Sequence, residues 1–147
     1  MFELYNGALS VTQIHKAWFE RYKSENLGAM ITFCGIVRDE NGVEALYFEI
    51  YEKLLKAWFD KWCEKVAQDK VVLCFAHSKG EVKIHQSSYF VAVISKQRKL
   101  GLTLINEFVE DFKANAPIWK FDVKNGVKTY AFERSSKLKH AGILGQK

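Results

Sequence analysis

A few cations of this sequence fall at the ends of elements, where they can act together. Arg38 closes an apolar run just ahead of an Asn41-Gly42 pair. Arg98 and Lys99 open a helical pattern, Lys113 lies at its far end, and Lys120 follows seven residues later, past Pro117. Side chains at strand and helix ends meet where loops converge. Such a cluster binds phosphate, Arg through its bidentate fork and Lys as a point charge. Crowding cations together also lowers a lysine's pKa, which lets it serve as an acid or base near neutral pH. Each residue has a plainer reading as well. Lys113 at a helix C-terminus complements the helix dipole and needs no further role. In strand alternation Lys120 shares a face with Asp122 and Lys124, opposite Trp119, Phe121 and Val123, as on a solvated strand face.

Other chemistries lack their residues. There is no Gly-x-x-x-x-Gly-Lys loop, no Gly-x-Gly-x-x-Gly fingerprint, no His-Glu-x-x-His pair and no Gly-x-Ser-x-Gly elbow. His15, His77, His85 and His140 are scattered without ligand spacing and read as surface or packing residues. Cys34, Cys63 and Cys74 form no Cys-x-x-Cys pair. All three lie among apolar residues and read as reduced, buried, structural thiols. Cys34, between Phe33 and Gly35, has nothing near it in sequence to activate a thiolate. Reduced thiols imply a reducing compartment. The first residues lack a signal peptide's basic flank and apolar stretch. Apolar runs such as Val71 to Ala76 fall far short of the roughly 20 residues of a membrane span. The expectation is a cytoplasmic protein.

The elements that must position the cations follow from patterning. The 147 residues fit one domain, and a 48% apolar share with 14% aromatics gives a bulky core. The expectation is a single domain over 1–134 and a flexible basic tail over 135–147. A first helix is expected from about Val11 to Ser24, with Ser10 as N-cap and Ile14, Ala17, Trp18 and Tyr22 on one face. A strand over 28–38 folds back through Asn41-Gly42 onto a strand over 43–51. A second helix spans about 52–68 and carries Leu55, Trp58, Phe59, Trp62 and Val66 on one face. A buried strand from Val71 to His77, a turn at Lys79-Gly80, a strand over 81–85 and a strand from Tyr89 to Ser95 come next. The third helix runs from about Arg98 to Asn115 and stops at Pro117. Strands over 118–124 and 127–132 flank a turn at Asn125-Gly126. Hairpins dominate, so the layout is α+β with antiparallel pairing.

Four blocks then resemble the large, catalytic subunit of molybdopterin synthase. They are Lys113-Ala114-Asn115-Ala116-Pro117-Ile118-Trp119-Lys120, Gly28 through Arg38, Leu46 through Tyr51, and His77 through Glu81. Their order and spacing agree over about residues 28 to 134. The resemblance implies an α/β-hammerhead-type fold with three main helices. It implies a sulfur transferase that converts cyclic pyranopterin monophosphate, the precursor, into molybdopterin. Two dithiolene sulfurs would come from the C-terminal Gly-Gly thiocarboxylate of a small ubiquitin-like partner subunit. The assembly would be a homodimer within a heterotetramer, with no metal or organic cofactor in this subunit. Position by position, Lys113 and Lys120 match the essential lysines. One would protonate the leaving oxygen and the other would stabilise anionic intermediates. Arg38 and Arg98 match substrate-binding arginines, Ile36 and Val37 a pocket wall, and Phe121 and Asp122 a substrate-contacting segment. Arg134 falls near a further arginine.

The chain departs from the family pattern at Gln97, where His is usual; Gln hydrogen-bonds but does not titrate. Ile50, Ser78 and Phe121 replace a common His, a common Arg and a basic residue. Gln97 motivates one alternative, a non-catalytic scaffold of the same fold. The formal charge of +5 motivates another, a basic nucleic-acid-binding module, although its cations are dispersed and no base-stacking motif appears. Neither nucleic acid nor a membrane is the expected partner.

Overall fold

The computed structural model describes residues 1–131. The expected end of the last strand at Phe132, together with Arg134, His140 and the tail over 135–147, lies outside them. The elements run β1 (Phe2–Asn6), α1 (Val11–Tyr22), β2 (Ala29–Ile36), β3 (Ala45–Ile50), α2 (Glu52–Val66), β4 (Val72–Lys83), β5 (Ser87–Ser95), α3 (Arg98–Asn115), β6 (Ile118–Lys124) and β7 (Val127–Tyr130). The architecture is α+β with three α-helices among the described residues, as the patterning predicts. Ser10 sits at the N-cap of α1, but its side chain makes no capping bond.

The strands lie in the order β2-β5-β4-β3-β6-β7, and β1 adds to β4. Alternation along β4 and β5 explains their continuous apolar runs, because both faces are covered. Phe75, Val91 and Val93 meet α2 and α3 on one face, in a core with Leu55, Phe59, Trp62, Leu104 and Phe108. Cys74, Ala76, Phe90 and Ala92 meet Ile14 and Trp18 of α1 on the other. The helix α3 lies close on the sheet at Gly101, where a Cβ would stand 2.7 Å from both Ile31 Cδ1 and Ser95 Oγ.

Four expectations need correction. First, β1 was not anticipated, and it pairs with β4 in parallel, Phe2 opposite Phe75. Its short mixed run carries little signal of its own, and it is held by Phe2 stacking on Phe75 at 5.4 Å and the Met1 amino group donating to Leu73 O at 2.7 Å. Second, Asn41 and Gly42 both take positive φ, and Val43 N donates to Glu40 O at 3.1 Å, so the turn forms. It does not join paired strands, because β3 is taken on both edges, by β4 and β6, and β2 pairs with β5 instead. Third, Lys79-Gly80 does not reverse the chain. β4 continues through Gly80 at φ +81° because both of its halves find partners, β5 before the glycine and β3 from Gly80 to Lys83. Fourth, only Cys74 is a fully buried thiol. Burial pushes Cys74 up to about 12 and raises the half-buried Cys63, whereas Cys34 is exposed on the edge strand β2.

Among the described residues no helix is long and apolar enough to cross a membrane, and no group of three or more His, Cys, Asp or Glu is placed to hold a metal ion.

Candidate active site

The exit of β2 is bent and then pinned. Its register shifts between Gly35 and Ile36. Val37 N donates to Gln86 O at 2.9 Å, and His85 N donates to Val37 O at 2.7 Å. Val37 is therefore buried while Arg38 emerges with 77% of its side chain exposed, 3.0 Å from Glu40 Oε1. At the other wall α3 ends where Ala116 N donates to Phe112 O. Ala116, Pro117 and Ile118 are all buried, so this junction is fixed and sends the chain directly into β6. Lys113 stays on the exposed last turn of the helix. Lys120 returns on β6 opposite Phe48 and is half-buried.

Between these walls lies a cleft of about 590 Å³. Ile36, Val37, Arg38, Lys113 and Lys120 all line it. The other expected residues among those described do not. Gln97 and Arg98 stand at the start of α3, Arg98 lying 15 residues before Lys113, which is roughly 22 Å along a helix axis. Phe121 faces the opposite side of β6 and meets Tyr47 and Tyr130 edge-on. Asp122 lies opposite Leu46, two positions beyond Lys120 on the same strand, and is not part of the lining.

Sequence patterning did not single out Glu40, Tyr89 or Phe112 as site residues, and it gave His77 a packing role. Among the described residues Glu40 is the one carboxylate in the lining. Phe112 and Tyr89 stack in the floor at 4.0 Å. The available signal was alternation: His77 shares a β4 face with Leu73 and Phe75 and therefore faces α3. His77 is 2% exposed, and its Nδ1 lies 2.8 Å from Ser78 O. A carbonyl only accepts, so Nδ1–H donates and Nε2 carries the lone pair. Burial pushes the imidazole pKa down to about 4. Burial also holds the Tyr89 phenol well above its ordinary value. The Tyr89 hydroxyl is buried with no partner among the described residues, an arrangement that carries a desolvation cost of about 1–3 kcal/mol.

The His77 shift has a consequence for stability. The folded imidazole titrates near 4, and an unfolded one near 6.5. Between those values the unfolded chain binds more protons, so stability is complete above about pH 6.5 and falls as pH drops towards 4, by up to about 3 kcal/mol. Denaturant unfolding of wild type and His77→Gln across pH 7 to 4.5 checks this. The wild type is expected to lose more stability than the variant over that range, and parallel curves would contradict it.

An α+β fold with a cation-walled, apolar-floored cleft is the frame of an enzyme acting on an anionic substrate with a flat or apolar body. A model of the MoaE protein family matches residues 6–115. The molybdopterin synthase catalytic subunit of Helicobacter pylori strain 26695 is 46% identical over 144 residues, covering 98% of this chain and 99% of that protein. The subunit of the same name from Pyrococcus abyssi is 28% identical over 106 residues, covering 68% and 71%. Among solved structures, a protein–protein complex of subunits 1 and 2 of molybdopterin-converting factor from Helicobacter pylori 26695 matches with a TM-score of 0.90 and 46% identity. It covers 97% of this chain and 98% of that one. Molybdopterin synthase from Staphylococcus aureus matches with a TM-score of 0.71 and 27% identity, over 88% and 95%. The chain belongs to the MoaE protein family. Its activity is that of the catalytic subunit of molybdopterin synthase, an enzyme of molybdenum cofactor biosynthesis.

Proposed function

We propose that this cleft transfers sulfur to cyclic pyranopterin monophosphate from the thiocarboxylate of a small ubiquitin-like subunit. The observation that carries the reading is the convergence of Lys113, Lys120 and Arg38 on one cleft with an apolar floor. Arg38 receives the phosphate through its planar fork. Its present partner Glu40 is a weak competitor, since exposed ion pairs contribute only about 0–1 kcal/mol. Of the two lysines, one protonates the oxygen leaving the substrate and the other stabilises anionic intermediates. Ile36 and Val37 form the wall beside Arg38. The free thiols fit a cytoplasmic protein. Single-turnover conversion with thiocarboxylated small subunit tests the reading. Dithiolene product is expected, and a stable complex that yields none would favour a scaffold instead.

Gln97 and Arg98 are exposed and distant from Lys113 along α3. In the homodimer they reach the cleft of the second copy, where Arg98 adds a cation and Gln97 a hydrogen bond. Remixing inactive Arg98→Ala with inactive Lys120→Ala protomers then restores activity. Random pairing makes half the dimers mixed, each with one intact site, so about a quarter of wild-type activity returns. No recovery, with dimers exchanging freely, would place Arg98 outside any cleft.

A further inference from the structure

The floor of the cleft holds a polar atom for which the reaction outlined above has no use. Tyr89 is 6% exposed, lines the cleft, and its hydroxyl has no hydrogen-bond partner among the described residues. The ring itself is held firmly. It stacks on Phe112 at 4.0 Å, and Phe33, His77 and Phe75 surround it at 5.6, 5.6 and 5.7 Å. Gly35 stands opposite it on β2, where a Cβ would come within 3.1 Å of the Tyr89 Cβ. Every one of these contacts would serve a phenylalanine equally well, without burying a hydroxyl.

The neighbourhood indicates what the hydroxyl awaits. His77 is paired in register with Tyr89 across β4 and β5, so both side chains emerge on one face of the floor. With Nδ1–H given to Ser78 O, the imidazole presents an acceptor at Nε2. Burial keeps the phenol protonated, so it presents a donor. A donor beside an acceptor complements a carbonyl oxygen adjacent to an N–H, the edge presented by the cis amide of a lactam or by the N–H and C=O of one extended peptide residue. Of the four rings around Tyr89, Phe33 is the most exposed, at 38%, and is the one an entering group can displace.

We propose that Tyr89 is a further ligand-binding residue of this cleft, its hydroxyl donating a hydrogen bond to an amide-type carbonyl of the occupant. The inference rests on the function proposed above, in which two occupants carry that edge: the lactam of the pterin and the glycyl tail of the small subunit.

Calorimetric titration of Tyr89→Phe with the cyclic pterin monophosphate, and separately with the small subunit, tests it without requiring turnover. One of the two affinities is expected to fall about five- to tenfold, the worth of one neutral hydrogen bond. Weaker pterin binding assigns the lactam, and weaker subunit binding assigns the tail. The melting temperature is expected to stay level or rise, because the variant removes an unpaired buried hydroxyl. Both affinities unchanged within about twofold would overturn the proposal. So would a fall in melting temperature, which would mean that the hydroxyl has a partner within the protein. Wild type that binds both ligands but makes no dithiolene would overturn the sulfur-transfer reading and leave these titrations able to decide on Tyr89.

Discussion

Lys113→Ala and Lys120→Ala are each expected to slow single-turnover sulfur transfer by roughly 10²- to 10⁴-fold, the range that positioned proton transfer and charge stabilisation supply. The two substitutions act on one cleft from different elements. Lys113 projects from the exposed last turn of α3, whereas Lys120 is half-buried on β6 opposite Phe48. Neither lies in the apolar core, so the variants are expected to fold and to bind the small subunit. The double variant is expected to be scarcely slower than the worse single one, because groups serving one transition state are not additive. Quenched-flow measurement of dithiolene product at saturating pterin decides. A loss confined to KM, with the rate at saturation intact, would reduce the lysines to substrate binding. Losses below about tenfold in both would remove them from the chemistry altogether.

How much of this was legible in the sequence varies with the range of the interaction. The helices were legible because their stripes are long and periodic: Leu55, Phe59, Trp62 and Val66 recur on one face of α2 and are all buried there. The turns were legible too, since Asn41-Gly42 and Asn125-Gly126 adopt the positive φ values that their types permit. Pairing was not. Asn41-Gly42 turns the chain, yet β2 and β3 part company, because partner choice depends on which distant strand completes each ladder. Gly80 reads as a turn but serves as a bend inside one long strand, and nothing local distinguishes the two uses. The cleft shows the same divide. Lys113, Pro117 and Lys120 are close in sequence, and the buried Ala116-Pro117-Ile118 junction makes them close in space. Tyr89 and His77 meet through the pairing of β4 with β5, and Phe112 joins them through packing of α3 on the sheet; alternation tells which face His77 takes, but no spacing announces the partners. Gln97 and Arg98 are the converse: a family motif singles them out, and a single copy of the chain leaves them far from the cleft.

Asp111→Ala is expected to destabilise the fold by about 2–3 kcal/mol, which lowers the melting temperature of a domain of this size by roughly 6–12 °C. One carboxylate oxygen, Asp111 Oδ2, accepts from the indole N–H of Trp58 at 2.9 Å and of Trp62 at 2.7 Å, and Oδ1 accepts from Asn115 at 2.6 Å. Removing it strands two partly or fully buried donors and frees the end of α3. Hydrogen bonds to a charged group contribute about 1.5–3 kcal/mol each, and water reaching the half-exposed edge offsets part of the loss. The two indoles also pack on Phe108, so their orientation is coupled to the core. In a Trp62→Phe background the same substitution is expected to cost about 1 kcal/mol less, since one of the donors has already gone. Equal costs in both backgrounds would deny the clamp. The consequence for function follows from position. Asp111 fixes the final turn of α3 against α2, and that turn carries Phe112, which stacks on Tyr89, and Lys113. In Asp111→Asn one oxygen can still accept from both indoles, but the new NH2 faces the Asn115 amide donor and the charge is gone, so this variant is expected to fall between wild type and Asp111→Ala in stability and activity. Asp111→Ala is expected to lose activity even at temperatures where it remains folded, because the last turn of α3, still held at its buried Ala116–Ile118 junction, loses its tie to α2 beside Phe112 and Lys113.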